Sequence, residues 1–566
     1  MIDSLPPGGI MILGALLIPF LRGRLAAWWT LALPVLGFFH FWSMPEGTIQ
    51  TLQLFNYELM PVRIDALSRI FGLIFYLAAF LAAVYALHLR QRLQQTAATM
   101  YAGSAIGAVF AGDLVTLFVY WELTAIASVF LIWARGTERS YRTGMRYLII
   151  QVGSGVLLLS GILFRLSETG SLAFNHFGPL DDPGTALIFL AFGIKCAFPL
   201  LHNWLQDAYP EGTVTGTVYL SVFTTKLAVY ALARGFPGTE ILIAIGVTMT
   251  LFPIFFAVIE NDLRKVLAYS LNNQLGFMVV GIGIGTPLAL NGAVSHAFCH
   301  ILYKSLLFMS MGAVLYRTGT IKASELGGLY KSMPITAVCC IIGAASISAL
   351  PLFSGFISKS LTMSAVAEQH HFLAWLLLLV ASAGVMEHSG IKIPYFSFFA
   401  KDRGIRCPEA PLHMVLAMIV TAALCILIGC FPGPLYNMLP EVTEAYHPYT
   451  APHVVTQLQL LLFSALAFTW LMLSGIYPPE QRSVNLDVEW LYRRLAPNLY
   501  TRMARAVGRV HGSLERGVQS QIATLINELS RYLGPQGALS SSQSTGSMAL
   551  RVAVLLLAIL VFYYFF

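Results

Sequence analysis

Charged residues are scarce in this sequence. Of its 566 residues only 11% are Asp, Glu, Lys or Arg, while 57% are apolar. Soluble domains carry roughly 25% charged and 45–50% apolar residues, so this composition excludes a disordered chain and an ordinary soluble enzyme. We expect most of the surface to face lipid rather than water.

Cysteine is also scarce, and its pattern excludes the usual metal centres. The seven cysteines form no CxxC pair and no His/Cys set at metal-ligand spacing. We therefore expect no iron–sulfur cluster, no zinc site and no other cofactor. The net charge of +7 comes mostly from short loops between apolar runs, which argues against a nucleic-acid partner. No basic residue precedes the first apolar run near Gly9, so we interpret that run as a retained membrane anchor.

Apolar windows long enough to cross a bilayer predict about 14 to 16 transmembrane helices. Alternate loops carry opposite charge, and by the positive-inside rule the basic loops lie in the cytoplasm. One loop on the basic side, which holds Asp207 and Glu211, carries no Lys or Arg. We expect an all-α, multi-pass protein of the cell membrane, such as a bacterial inner membrane. The basic loops hold Arg22/Arg24, Arg90/Arg92, Arg135/Arg139/Arg142, Arg264/Lys265, Arg317/Lys322/Lys331 and Lys401/Arg403/Arg406.

The chain divides by composition into successive parts. We predict N-terminal helices over 1–95, a core over 96–432, a further transmembrane helix within 433–477, an amphipathic helix with its linker over 478–548, and a last span over 549–566. The amphipathic helix, bounded by Pro497 and Gly534, has an apolar stripe at three- and four-residue steps with arginines off it. It lies either at the lipid interface or as a lateral brace along neighbouring helices or subunits, and we expect it on the cytoplasmic side.

Five ionisable residues interrupt the apolar spans: Glu122, Lys195, Lys226, Lys304 and Lys392. Each costs roughly 2.5 to 3.5 kcal/mol at the bilayer centre, so a chain keeps them where they pair or line a hydrated path. We interpret them as candidate proton-carrying sites. The alternative is a set of buried pairs that only fix helix register.

Two prolines mark predicted helix breaks beside these lysines. Pro199 has no N–H to bond the Lys195 carbonyl, and Pro394 likewise leaves the Gly390 carbonyl without a partner, two residues before Lys392. Interrupted helices at membrane depth mark ion sites in transporters. The tripeptide Gly-Ile-Lys occurs at 193–195 and at 390–392, which suggests an internal repeat.

A row of proton-carrying side chains lies on one predicted helix. His296, His300 and Lys304 are spaced four residues apart and share one face. Histidine titrates near neutrality, so such a row can relay protons through water; the alternative is two interhelical hydrogen bonds. His202, between the Pro199 break and Asp207, would link the buried lysine to the surface or would merely cap a helix end.

These residues lie within segments that resemble the antiporter-like subunits of Mrp-type sodium/proton antiporters and respiratory complex I. The resemblance rests on the run Gly193 to Glu211, on Asn261 to Ser270 with Gln274-Leu-Gly, and on His296 to Leu307. Ser354-Gly-Phe-Ile-Ser-Lys and Lys392-Ile-Pro-Tyr-Phe-Ser-Phe-Phe are similar to the D subunit of the Mrp type.

The resemblance implies two inverted repeats, approximately 96–236 and 260–432, each with a broken helix, around a hydrated axis at mid-membrane. By motif, Glu122 would pair with Lys195 on the first broken helix, and Lys226 would be the connecting lysine. His300 and Lys304 would form the central relay, and Lys392 would be the terminal lysine on the second broken helix. Our count places Lys195 and Lys392 in helices of equal parity, although inverted repeats need opposite parity.

The hypothesis that follows is a proton-translocating subunit of a multisubunit cation/proton antiporter, which moves H⁺ and is coupled to Na⁺ or to a partner's conformational change. Movement of Glu122 relative to Lys195 would change the proton affinity of that lysine and drive the proton toward Lys392.

Three alternatives remain open: a proton-pumping subunit of a complex I-like or hydrogenase-like redox complex, the membrane half of an inorganic-carbon uptake system, and an assembly scaffold. The chain would act as a translocase enzyme only in a complex I-like assembly. In the three transport hypotheses we expect other membrane subunits as partners.

Overall fold

A computed structural model describes residues 5–443, 446–477, 480–481, 485, 487–537, 539–540 and 542–565, apart from the side chain of Tyr492. The chain forms two units, Met1–Asn485 and Leu486–Phe566. The first unit is helical except for one hairpin of β1 (Ile49–Leu54) and β2 (Tyr57–Arg63) in its described part. Its helices, in chain order, are α1 (Gly9–Leu17), α2 (Arg24–Ser43), α3 (Ala66–Tyr85), α4 (Arg92–Phe110), α5 (Leu114–Trp133), α6 (Glu138–Thr169), α7 (Pro183–Lys195), α8 (Asn203–Ala208), α9 (Gly216–Gly235), α10 (Ile241–Ile259), α11 (Leu263–Ile284), α12 (Pro287–Thr318), α13 (Pro334–Ile347), α14 (Ser354–Glu368), α15 (Phe372–Val385), α16 (Lys392–Pro394), α17 (Leu412–Cys430), α18 (Gly433–Tyr436) and α19 (Ala451–Leu473).

The predicted all-α polytopic membrane fold is confirmed. Within the described residues of both units, eleven helices are long and apolar enough to cross a bilayer. Helices satisfy every internal backbone hydrogen bond, which a lipid environment requires. Short polar side chains begin several of them: Asp113, Asp182 and Asp262, for example, accept backbone N–H groups of the first turn.

Two helices form the centre of the first unit. In α9 every residue of the most apolar 18-residue stretch is buried, and in α12 the buried share of that stretch is 94%. In α5 it is 50%. The centre of the fold therefore holds the two helices that carry Lys226 and the row His296, His300 and Lys304.

The first predicted helix break is confirmed. Helix α7 ends at Lys195 and α8 begins at Asn203, with Pro199 in the connection. Ala197 (φ 62°) and Leu200 (φ 69°) adopt left-handed backbone conformations, which interrupt the helix within a few residues. Lys195 thus stands at the open end of a half-helix.

The predicted break at Pro394 is wrong. The chain from Phe372 to Phe399 runs as one helix, in which α15 and α16 are joined by a π-helical stretch, Met386–Ile391, and followed by another, Tyr395–Phe399. In these wide turns backbone N–H groups bond five residues back, as Lys392 does to the Glu387 carbonyl. The altered ladder accommodates the proline within a continuous helix.

The second interrupted helix is α13–α14. It breaks at Ser348 to Phe353, around Pro351, and Ala349 (φ 59°) and Leu352 (φ 74°) repeat the left-handed geometry of the first break. The hydrogen bonds also correspond, since Phe198 N–H bonds Gly193 O at 3.0 Å and Leu350 N–H bonds Ala345 O at 3.0 Å.

The position of this second break removes the parity problem. With each interrupted helix counted as one unit in chain order, α7–α8 is the seventh and α13–α14 is the twelfth. Opposite parity is what inverted repeats need. Lys392 therefore lies on the continuous helix that follows the second interrupted one, and the predicted role of that residue on a broken helix is corrected accordingly.

Arginines of the α5–α6 connection and of α6 neutralise the carboxylates in the loop that lacks Lys and Arg. Glu211 accepts Arg135 at 3.0 Å and Arg139 at 2.8 Å, and Asp207 accepts Arg146 at 2.6 Å. The acidic loop thus lies beside the basic α5–α6 connection, on the same face of the protein, as the alternation of loops predicts.

The second unit consists of a π-helical turn (Leu491–Leu495), α20 (Ala496–Leu533) and α21 (Thr545–Phe565). The bounds of α20 agree with the predicted stops at Pro497 and Gly534. Helix α21 begins four residues before the predicted start of the last span at residue 549.

Candidate functional site

Lys195 is fully buried at the end of α7. Its ammonium donates to the Trp121 carbonyl at 2.5 Å and to Thr124 Oγ1 at 3.0 Å. It also lies 4.3 Å from the centre of the Trp121 ring, where the aromatic face attracts a cation. The local structure therefore holds a lysine charge deep in the protein without a direct anionic ligand.

Glu122 lies beside this lysine but does not neutralise it by direct contact. Its carboxylate lies against Gly155 of α6, whose missing side chain leaves room for Oε1. In the part of the chain that the structure describes, this oxygen has no hydrogen-bond partner. The charges of Glu122 and Lys195 interact electrostatically, so the predicted pair is adjacent and open.

Lys226 connects this first cluster with the centre of the protein. It is fully buried on α9 and donates to the Ser221 carbonyl at 2.6 Å. Its charge acts on His300 and Lys304 of α12, and it also interacts with Cys196 next to Lys195. Its role as the connecting lysine stays a prediction.

His296 is a hydrogen-bonded core histidine. Its Nδ1 lies 3.0 Å from Ser358 Oγ and its Nε2 lies 3.3 Å from the Tyr303 hydroxyl. Tyr303 in turn donates to Gln274 Oε1 at 3.1 Å. The bond to Ser358 is interhelical, which is what the alternative to a proton relay expects. The three bonds also place His296 in a polar chain between α11, α12 and α14.

His300 and Lys304, one and two turns further along α12, have a different environment. Both are fully buried, and neither His300 nitrogen nor the Lys304 ammonium has a hydrogen-bond partner among the described residues. Buried polar groups in proteins nearly always bond to protein or to water. The predicted hydrated axis would supply water as the hydrogen-bond partner of both side chains.

Lys359 is a buried lysine that the sequence reasoning missed. It lies on α14, 4% exposed, and donates to the Ile347 carbonyl at the second helix break at 2.9 Å. Its ammonium also lies 5.0 Å from the centre of the Phe277 ring. The signal in the sequence was the pair Ala197-Phe-Pro-Leu and Ala349-Leu-Pro-Leu, 152 residues apart, which marks the second break and the lysine after it.

His388 is a second missed residue. It is fully buried in the π-helical stretch one turn before Lys392, and its Nδ1 lies 2.8 Å from Ser389 Oγ. The charges that act on it are those of Lys304, Lys392 and Lys359. It therefore lies between the central row and the predicted terminal lysine.

Lys392 is fully buried near the basic-loop face. Its ammonium donates to the carbonyls of Val258 at 2.5 Å and Glu260 at 2.9 Å, at the end of α10. It also forms an ion pair with Glu480 at 2.8 Å. Lys392 is thus the one predicted lysine that this structure joins to a carboxylate within its described residues.

The supporting residues lie at the surface end of the first break. His202 is buried at the start of α8, with its ring 4.4 Å from that of Phe252. Asp207 accepts both Nε and Nη2 of Arg146. The structure brings Pro199, His202 and Asp207 to the same end of the first unit.

The cluster can do proton chemistry. Electrostatic interactions join Glu122 to Lys195, and Lys226 to His300 and Lys304. His388 interacts with both Lys304 and Lys392, and Cys196, next to Lys195, interacts with Lys226. Side chains that accept and release protons, bridged by water, are the requirement for a proton path.

Comparisons with known proteins show which family this chain resembles. The family model described as "NADH:quinone oxidoreductase/Mrp antiporter, TM" matches residues 111–384. Hydrogenase-4 component B of Escherichia coli is 28% identical over 443 residues, 70% of this chain and 66% of that protein. The D subunit of the Na⁺/H⁺ antiporter of Alkalihalophilus pseudofirmus is 31% identical over 361 residues, 60% of this chain and 72% of that protein.

A solved structure has the same fold. A chain of the Mrp complex from Dietzia sp. superposes with a TM-score of 0.73 at 25% identity, over 93% of this chain and 62% of that chain. The protein thus spans about two thirds of the length of several of its relatives.

Proposed function

The chain belongs to the family of NADH:quinone oxidoreductase and Mrp antiporter membrane subunits, and we propose that it is the proton-translocating subunit of a multisubunit cation/proton antiporter. Its substrates in this proposal are H⁺ and Na⁺. Its partners are other membrane subunits, as in the Mrp complex that shares its fold.

The observation that carries the proposal is the row of buried proton carriers across the first unit. Structural ion pairs would account for lysines bound to carboxylates, whereas Lys195 and Lys226 are held by carbonyls and a hydroxyl. Lys304 has no hydrogen-bond partner in the described part of the chain. A buried ammonium with neutral ligands gives its proton to water more readily than one in an ion pair, because no anion stabilises the charged form. An ion-paired ammonium can pass its proton only through its carboxylate partner.

The mechanism follows from the position of Glu122. When this carboxylate moves toward Lys195, its charge stabilises the protonated ammonium. When it withdraws toward Gly155, the Lys195 proton loses that stabilisation and passes toward Lys226 and the His300 and Lys304 pair. From there His388 and Lys392 take the proton toward one face.

The orientation belongs to the same proposal. The basic loops lie in the cytoplasm by the positive-inside rule, in a bacterial inner membrane, and the amphipathic helix α20 lies on that cytoplasmic side. The apolar stripe of α20 contacts either lipid, as an interfacial helix does, or a neighbouring subunit, as a lateral brace does.

A second candidate function is a proton-pumping subunit of a hydrogenase-like redox complex. The similarity to hydrogenase-4 component B supports it. In that case the electron chemistry belongs to partner subunits, since this sequence contains no motif for a redox centre.

Purification of the chain in a mild detergent, followed by mass spectrometry of the co-purifying proteins, distinguishes these functions. The proposal predicts a set of antiporter subunits and a sodium-dependent pH gradient in everted membrane vesicles. Iron–sulfur or hydrogenase partners with no sodium response would establish the second candidate instead. A co-purifying zinc protein would indicate the inorganic-carbon uptake system.

A further inference from the structure

A carboxylate from beyond the last span of the first unit reaches the buried Lys392. Glu480 follows α19, its side chain is only 7% exposed, and Oε1 lies 2.8 Å from the Lys392 ammonium. A buried charge is stabilised by an opposite charge in contact with it. Glu480 is thus the anionic partner of this lysine.

Three groups surround the Lys392 ammonium. It donates hydrogen bonds to Val258 O and Glu260 O and forms an ion pair with Glu480. Of these three ligands only Glu480 can accept a proton under physiological conditions, because the other two are backbone carbonyls. The pair is thus an exchange point.

Glu480 also lines a cavity of about 330 Å³. Lys401 and Arg403, both exposed in the loop at the basic face, line the same cavity, together with Ser324 and Tyr395. Glu480 therefore stands between the buried Lys392 and a space that reaches the surface.

Aromatic packing and a polar bond hold the Glu480 segment in place. The Tyr477 ring packs 5.2 Å from Phe468 and 6.4 Å from Phe396, measured between ring centres. Asn485, further along, donates to Glu260 Oε2 at 3.2 Å. The carboxylate is therefore placed by contacts on both sides of it.

On the inner side, His388 completes the connection. It lies one turn from Lys392 on the same helix, and both Lys304 and Lys392 act on it electrostatically. His388 Nε2 has no hydrogen-bond partner among the described residues. The route from the central row to the surface is then Lys304, His388, Lys392, Glu480 and the cavity.

We propose that Glu480 and Lys392 form the proton port of the second half of the protein, through which protons exchange between the buried row and the basic-loop face. This inference rests on the proposed function. In the outward step the ammonium gives one proton to the carboxylate, which leaves a neutral amine and a carboxylic acid. The acid then releases the proton to water in the cavity, and the inward step is the reverse.

The charges around the port are consistent with this exchange. Burial raises the pKa of Glu480 above its ordinary value, while the Lys392 charge lowers it. Glu387 and Glu260 also face Lys392, and Lys265 holds Glu260 at 3.1 Å. Lys401 and Arg403 are the cations on the cavity side.

A chemical test does not depend on transport. Carbodiimide modifies protonated carboxyl groups in apolar surroundings, and mass spectrometry of the Glu480 peptide measures the extent. Lys392→Met removes the partner cation, so Glu480 becomes protonated and reacts faster, by tenfold for each pKa unit gained. Lys322→Met, which removes a lysine paired with Asp262 at the same face, leaves the reaction at the wild-type rate.

A transport test uses the intact complex in proteoliposomes. Glu480→Gln keeps the shape and lowers proton flux at least about a hundredfold, the lower end for a lost proton-transfer group, while assembly on a native gel stays unchanged. Glu46→Gln, at an exposed loop position, retains full flux. Wild-type flux in Glu480→Gln, or unchanged labelling of Glu480 in Lys392→Met, would overturn the port. Faster labelling in a complex that moves no protons would keep the pair and reject the proposed function.

Discussion

The ammonium of Lys195 lies 2.5 Å from the carbonyl of Trp121, the residue immediately before Glu122. One turn of α5 thus offers the lysine two kinds of acceptor, a neutral carbonyl in contact and a carboxylate beside it. The difference between them is a full charge. A small movement of the Glu122 side chain is enough to change how strongly Lys195 holds its proton.

Gly155 controls where Glu122 can go. A Cβ at this position would overlap Glu122 Oε1, so Gly155→Ala pushes the carboxylate away from α6 and biases it toward Lys195. We expect the variant to assemble, because the displaced group is the end of a flexible side chain. Proton flux measured in vesicles should fall about tenfold or more, since the switch is held in one position.

Gly153→Ala provides a matched control for that variant. Gly153 lies on the same helix, and a Cβ there would meet nothing within 4 Å. It should transport at the wild-type rate. Equal flux in the two glycine variants would show that the withdrawn position of Glu122 has no part in transport.

The two histidines of α12 should respond differently to replacement. His296→Ala removes the hydrogen bonds to Ser358 and Tyr303 and should destabilise the protein by about 1–3 kcal/mol, since each bond contributes roughly 0.5–1.5 kcal/mol. His300→Ala breaks no hydrogen bond to a described residue and should lower proton flux with little loss of stability. Thermal unfolding and vesicle flux, measured on both variants, check this. Loss of stability without loss of flux in His300→Ala would assign that residue to packing.

Lys359 should be needed for transport although sequence reasoning did not select it. Its ammonium donates to the Ile347 carbonyl at the second break. Ile347 stands four residues before Pro351, as Lys195 stands four residues before Pro199. We expect Lys359→Met to reduce flux at least about tenfold. Lys331→Met removes a surface lysine paired with Asp402 and should leave flux unchanged; a similar loss in both variants would mean that Lys359 is not special.

The pH dependence of the basic-face loop follows from Asp402. Hydrogen bonds from Arg406, Gly404 N–H and Lys331 hold the pKa of this carboxyl below its ordinary value. The folded state therefore favours the charged form, and the resulting stability is present above the ordinary pKa of about 3.9. It is lost as pH falls below that value. Asp402→Asn should remove this contribution to the acid dependence of unfolding, which thermal scans from pH 5 to about pH 2 would detect; an acid profile identical to that of the wild type would contradict it.

Much of the first half of the protein could be predicted from local chemistry. Pro199 removes one N–H, and α7 does end at Lys195, four residues earlier. The apolar spans and the amphipathic α20 were equally visible, because helical periodicity needs no knowledge of distant contacts. The structure also brings Glu122 close to Lys195, a pairing that only the family resemblance implied.

The second half depended on information that a local reading lacks. The shared tripeptide Gly-Ile-Lys pointed to Lys392, but π-helical turns carry the helix past Pro394. The Ala-x-Pro-Leu pattern, at Ala197 and Ala349, marked the two helix breaks that correspond. Glu480 lies in a polar stretch after a span, and only the tertiary fold shows that its carboxylate is buried against Lys392.

Proton flux in proteoliposomes that contain the intact complex with Lys195→Ala or Glu122→Ala tests the switch most directly. Both variants remove the switch while the distant row remains in place. We expect both variants to assemble normally. Proton flux should fall at least about a hundredfold in Lys195→Ala, which is the lower end of the range for a lost proton-transfer group, and it should also fall markedly in Glu122→Ala. Transport at the wild-type rate in both variants would contradict a proton switch at Glu122 and Lys195.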